Sequence, residues 1–178
     1  MIDPSAPVHV VARALLGARL RTNFRGAATG IVLTEVEAYG GCDDPASHAY
    51  TRRTQRNGSM YEEAGTLYVY RSYGVHWCAN IVTGPAGRGE AVLLRAGMPE
   101  VGVVTMANRR GRSAPLTDGP GKLCQALGID GSSDGHRIGP SAEISLELPE
   151  TPPPNIIATP RVGISRATDR LWRFVLAS

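Results

Sequence analysis

The stretch "TGIVLTEVEAY" (residues 29–39) alternates apolar and polar side chains with period two and is rich in β-branched residues, which predicts a strand. In unbroken alternation Ile31, Leu33, Glu35, Glu37 and Tyr39 share one face, while Val32, Thr34, Val36 and Ala38 share the other. Two glutamates and a tyrosine then look the same way. The next residues, "GGCDDPASHAY" (40–50), add two more carboxylates, a histidine and another tyrosine, with glycines and a proline to bend the chain.

Upstream, "VHVVARALLGARL" (8–20) places Val8, Val11, Ala12, Leu15 and Leu16 on one helical face, with Ser5 and Pro7 as candidate starters and a turn near Gly26. Downstream, residues 40–64 read as an ordered loop or a short helix. "GTLYVY" (65–70), "VHWCANIVT" (75–83) and "EAVLLRA" (90–96) read as strands, the last two joined by a hairpin through "TGPAGRGE". "MPEVGVVTMANRR" (98–110) and "GPGKLCQALGI" (119–129) read as helices, the second with Pro120 early, where its missing N–H does no harm. "LPETPPPNIIATP" (148–160) reads as a stiff surface connection and "LWRFVL" (171–176) as a closing strand. The expected class is α+β: a single compact domain over residues 1–178, with a curved, mainly antiparallel sheet flanked by helices.

A chain of 178 residues can bury a real core. No apolar run approaches the ~20 residues of a membrane helix, and the N-terminus lacks the pattern of a secretory signal. Three cysteines without a close pair argue against a disulfide framework, so the expected setting is the cytoplasm with free, buried thiols. The net charge of +3 is compatible with a polyanionic partner. All six tyrosines lie between Tyr39 and Tyr73, and the only lysine is Lys122.

Glu35 and Glu37 suggest acid/base work on a glycosidic bond, although solvated carboxylates on a sheet edge give the same spacing. Asp43, Asp44 and His48 could approach a cation, but no Cys-x-x-Cys or His-Glu-x-x-His supports zinc, and Asp43-Asp44-Pro45-Ala46 is an ordinary helix start. Cys78 with His76 imitates a thiol nucleophile only as any alternate pair on a strand would. The tyrosine cluster beside Arg52, Arg53, Arg56 and Arg71 is what base stacking and phosphate contact require. It also suits a pocket for a base turned out of a duplex, although "YVY" is simple β propensity as well.

Five blocks in order, "TEVEAYGGCDDPASHAYTRRTQRNGSM", "GTLYVYRSYGVHWCANIV", "AVLLRA", "GPGKLCQALGI" and "TPRVGISRATDRLWRFVL", resemble the alkyladenine/3-methyladenine DNA glycosylase family in its bacterial form. The resemblance implies a monofunctional DNA-repair hydrolase that excises alkylated or deaminated purines and leaves an abasic site. It implies no metal, no organic cofactor and no membrane. Its partner would be double-stranded DNA containing damaged purine bases. The enzyme is expected to act as a monomer, nucleoid-associated in a bacterial cytoplasm.

The same resemblance assigns roles. Glu37 is implied as the base that activates water for attack on the deoxyribose C1′, with Arg95 helping to hold that water and the Val162 carbonyl completing its site. Tyr39, His48 and Tyr70 are implied to sandwich and recognise the flipped base, and Asn80 to disfavour the exocyclic amine of guanine. Tyr73 is implied as the wedge that fills the vacated space, and Lys122 as a phosphate contact near a helix start. Glu35 receives no catalytic role and is expected to be structural. Strand cleavage through a Schiff base would need an amine, and only Lys122 and the N-terminus supply one. The alternative reading is a non-catalytic, lesion-sensing DNA-binding module.

Overall fold

The computed structural model describes residues 2–177. Helix α1 (Val8–Leu15) opens the chain, followed by an antiparallel pair, β1 (Arg19–Phe24) and β2 (Ala27–Gly40). Strands β3 (Leu67–Ser72), β4 (His76–Val82) and β5 (Glu90–Val101) then form a meander. Helices α2 (Val103–Arg110) and α3 (Pro120–Leu127) precede three short strands, β6 (Ile144–Glu147), β7 (Ile156–Thr159) and β8 (Arg173–Leu176). The order across the sheet is β3-β4-β5-β2-β1-β6, and every pairing is antiparallel. One edge of β2 serves two neighbours, β1 along its first half and β8 along Glu35–Glu37. This is the expected α+β class.

Several elements differ from the sequence reading. Helix α1 stops at Leu15 because Leu16 is extended and Gly17 sits at φ +81°, where its N–H reaches the Leu33 carbonyl at 2.8 Å. Residues 19–24 are therefore a strand, with Leu20 and Thr22 buried on its inner face. Leu20 suits a helical stripe and a strand face equally, so periodicity could not separate the two. Met98–Val101 extend β5 instead of opening α2. The break falls at Gly102 (φ +68°), where a Cβ would lie 2.2 Å from the Ala28 carbonyl oxygen. β6 and β7 emerge from segments without strong patterning, and Cys42 is exposed, unlike Cys78 and Cys124.

The two faces of the sheet do different work. Against the helices lie Leu67, Val69, Ala79, Ile81, Val92, Leu94, Val36 and Ala38, which pack with Leu15, Leu16, Leu123 and Leu127. Their strand neighbours Tyr68, Tyr70, Asn80, Leu93 and Tyr39 face the other side and line a cavity. Tyr68, Asn80, Leu93 and Glu37 are register partners in turn, so one row crosses four strands.

A β-bulge sets this division on β2. Leu33 pairs with Gly97 and Glu35 with Ala96, leaving Thr34 unpaired; Val36 then pairs with Leu94, leaving Arg95 unpaired on β5. The extra residue reverses the alternation. Ile31 and Leu33 lie in the core with Val36 and Ala38, and only Glu35, Glu37 and Tyr39 turn to the cavity side. The expectation of one unbroken face from Ile31 to Tyr39 is corrected.

Candidate active site

Beyond β2 the chain folds back over the open face. Gly41 makes this reversal at φ +64°, with a would-be Cβ only 2.4 Å from the Arg88 carbonyl oxygen. A short 3₁₀ turn (Gly41–Asp43) and a longer one (Gln55–Tyr61) follow. The second is held by a reciprocal cap between Thr54 and Asn57, and the Asn57 amide also donates to the carbonyls of His48 (2.9 Å) and Arg52 (3.2 Å). Asp43-Asp44-Pro45-Ala46 does not start a helix: Asp44 is fully buried and bonded to Arg161. This cover and the sheet enclose a cavity of about 720 Å³.

Its walls are aromatic. The Tyr68 and Tyr70 rings stack at 5.5 Å, and His48 meets Tyr70 edge-on at 4.5 Å. His48 Nδ1 is 2.9 Å from the Tyr68 hydroxyl. Burial, and then the nearby Arg56, hold His48 below its ordinary pKa of 6.5, so the ring is neutral at pH 7. Asn80 donates its amide to the Tyr68 carbonyl at 3.1 Å, which fixes its orientation in the cavity wall. Arg52, Arg56 and Arg71 line the cavity; Arg53 lies apart, over the Tyr61 ring.

Glu37 sits just behind the wall, with its side chain 0% exposed. Three lining residues hold it. The Val162 N–H donates to Oε1 at 2.7 Å, the Tyr39 hydroxyl to Oε2 at 3.0 Å, and Arg95 Nη1 to the same Oε2 at 3.3 Å. Burial, and then the adjacent carboxylate, push the Tyr39 phenol above its ordinary value, so it stays a donor. Glu35 does not enter the cavity lining; its Oε1 accepts from both Arg95 Nε (2.6 Å) and Arg173 Nε (2.7 Å). Burial pushes the Glu35 carboxyl up, but these two hydrogen bonds and their charges outweigh it and hold it below its ordinary value. The result is an alternating chain, Arg173–Glu35–Arg95–Glu37. It is the N–H of Val162, not its carbonyl, that meets Glu37.

Tyr73 stands at the cavity mouth, 93% exposed, on the turn between β3 and β4. Tyr73 (φ +49°) and Gly74 (φ +68°) are both left-handed, and the Val75 N–H closes the turn on the Ser72 carbonyl at 3.0 Å. An exposed aromatic held at positive φ is a local cost without any packing return. Lys122 lies in the first turn of α3, paired with Asp118 at 3.0 Å and not in the cavity lining, although neighbouring Pro120 is. Among the described residues no group of three or more His, Cys, Asp or Glu could hold a metal ion, and no helix is long and apolar enough to cross a membrane.

The family model described as methylpurine-DNA glycosylase matches residues 3–178. The chain belongs to that family. It is a DNA-repair glycosylase, an N-glycosyl hydrolase acting on DNA. It is 51% identical to a protein of Agrobacterium fabrum over 93% of this chain and 82% of the relative. With a protein of Rhodopseudomonas palustris it shares 47% identity over 95% of this chain and 80% of the relative, and with one of Nitrosospira multiformis 46% over 99% and 89%. Each carries the name "Putative 3-methyladenine DNA glycosylase".

Within this glycosylase, sequence reasoning gave Tyr68 and Arg161 no role in the site and read Asp44 as part of a helix start. Tyr68 could have been found, because "YVY" places it beside Tyr70 on the same strand face. Nothing in the sequence signals that Asp44 and Arg161, 117 residues apart, form a buried pair.

Proposed function

We propose that the aromatic cavity receives a damaged purine of the 3-methyladenine type turned out of duplex DNA, and that Glu37 is the general base for hydrolysis of its N-glycosidic bond. The observation that carries this reading is the anchoring of a fully buried carboxylate by three residues of the cavity wall, Tyr39, Arg95 and Val162. A carboxylate offers about four lone-pair sites. Two on Oε2 and one on Oε1 are occupied, which leaves one site on Oε1 for a water molecule. Arg95 and the Val162 backbone then border that water.

In this reading the C1′–N bond breaks first, and the base departs with the bonding pair. A 3-alkylated adenine is already cationic, so that pair neutralises it and no acid is needed. The sugar acquires oxocarbenium character, which the negative charge of Glu37 stabilises. Water then adds to C1′ and yields its proton to Glu37. Tyr39, His48 and Tyr70 hold the cationic base by their ring faces and edges, Asn80 restricts the purine edge, and Tyr73 fills the vacated stack. Lys122 and the rim arginines contact phosphates.

The test is release of free base from duplexes carrying 3-methyladenine, 7-methylguanine, hypoxanthine or ethenoadenine. The expected product from 3-methyladenine DNA is free base plus an uncut strand with an abasic site. Tight binding without release would favour a sensing module and overturn the assignment.

The neutral state of His48 predicts a pH dependence. Because its folded pKa lies below 6.5, lowering the pH through that value adds a positive charge beside a cationic base. Release of 3-methyladenine should therefore fall on the acid side of pH 6.5, and folding stability should fall with it, since the unfolded chain protonates first. In His48→Gln the acid limb of the pH–rate profile should move to lower pH. An unmoved limb would exclude His48 as its source.

A further inference from the structure

We infer that the buried Asp44–Arg161 pair is the positioning element of the reaction, fixing Glu37 against the cavity wall without touching substrate. This rests on the role proposed above for Glu37.

Both side chains are 0% exposed. Arg161 grips Asp44 with a two-pronged fork, Nη1 to Oδ2 at 2.5 Å and Nη2 to Oδ1 at 2.8 Å. The same Nη1 donates to the Ala38 carbonyl at 2.9 Å. Asp44 in turn accepts the N–H groups of Gly40 (3.1 Å) and Ala46 (3.2 Å). The guanidinium lies over the rings of Tyr39 (4.7 Å) and Trp172 (5.4 Å).

One pair thus ties together three segments that each deliver a site group. These are the end of β2 with Glu37 and Tyr39, the turn leading to His48, and residues 161–162, whose second amide holds Glu37 Oε1 at 2.7 Å. Val162 follows Arg161 directly, so any shift of the guanidinium carries that amide off Glu37. The terminal torsion of a glutamate is broad, and the carboxylate has little intrinsic reason to keep its direction once the amide leaves.

Stability alone does not account for the arrangement. Burying two charges is expensive, and a well-packed apolar pair of similar volume is usually as stable or more so. Arg161 Nε finds no partner among the described residues, so the pair is not even fully satisfied. What a bidentate fork supplies beyond an apolar contact is direction.

That difference gives the test. In the double variant Asp44→Leu/Arg161→Met the fold should persist, with a melting temperature lowered only by the backbone groups of Gly40, Ala46 and Ala38 that lose their partners. Affinity for duplex DNA carrying a stable abasic-site mimic should be unchanged within about threefold, while single-turnover base release falls on the order of 100-fold, the scale of a misplaced reacting group. The loss should appear in kcat, with KM unchanged. Arg161→Lys, which keeps the charge and loses the fork, should show the same split more weakly.

Release at the wild-type rate from the folded double variant would overturn the inference, as would a parallel loss of abasic-mimic binding. Should the double variant not fold, Arg161→Lys decides on the same two readings; failure of both to fold would assign the pair to stability and overturn it too. Wild-type protein that releases no base would bring down the Glu37 reading itself, whereas active wild type with equally active variants removes only this inference.

Discussion

Glu37→Gln is expected to abolish base release while leaving the protein folded and able to bind DNA. Glutamine has nearly the same shape, and Arg95 keeps its shorter bond to Glu35 at 2.6 Å, so the wall is preserved. What disappears is the negative charge and the ability to accept a proton. Loss of a general base and of a stabilising charge predicts a rate lower by roughly 10⁴-fold or more, taking both contributions together. Affinity for duplex DNA with an abasic-site mimic should stay within roughly a factor of ten, about 1.4 kcal/mol. Single-turnover release and equilibrium binding on the same duplexes check both parts. Unchanged release would remove Glu37 from the mechanism.

Tyr73→Ala should impair release from duplex DNA on the order of 10- to 100-fold, because extruding a base costs a few kcal/mol and the wedge offsets part of that. The side chain is 93% exposed and held on its turn by backbone geometry alone, and alanine meets the same positive φ, so the substitution should leave the fold intact. The decisive comparison is with the same lesion in a single strand, where no partner base must be replaced. There the variant should approach the wild type. Equal losses on both substrates would show that Tyr73 contributes to the base pocket and not to extrusion.

Much of this arrangement is legible in the sequence alone. The period-two run at 29–39, the "YVY" strand and the two strands around "TGPAGRGE" are local signals, and each became a strand of the sheet. The ordered blocks containing "EAY", "YRSYG" and "RVGI" pointed to the family that the whole-chain match established. The site residues named from those blocks gather around one cavity, with Glu37 just behind its wall and Lys122 outside its lining.

Composition, alternation and turn residues therefore settled the class of fold and the residue types available for chemistry, since these depend on neighbours a few positions apart. The tertiary structure alone decided where the alternation reverses, because the bulge at Thr34 exists only in register against Ala96 and Gly97 of β5, a strand distant in the sequence. It alone decided that Glu37 faces the cavity side while Leu33 does not. It alone joined Asp44 to Arg161, since a hydrogen bond between distant segments has no periodicity to announce it. Local pattern offers side chains that could share a face, whereas pairing across the sheet decides which of them do and which face that is.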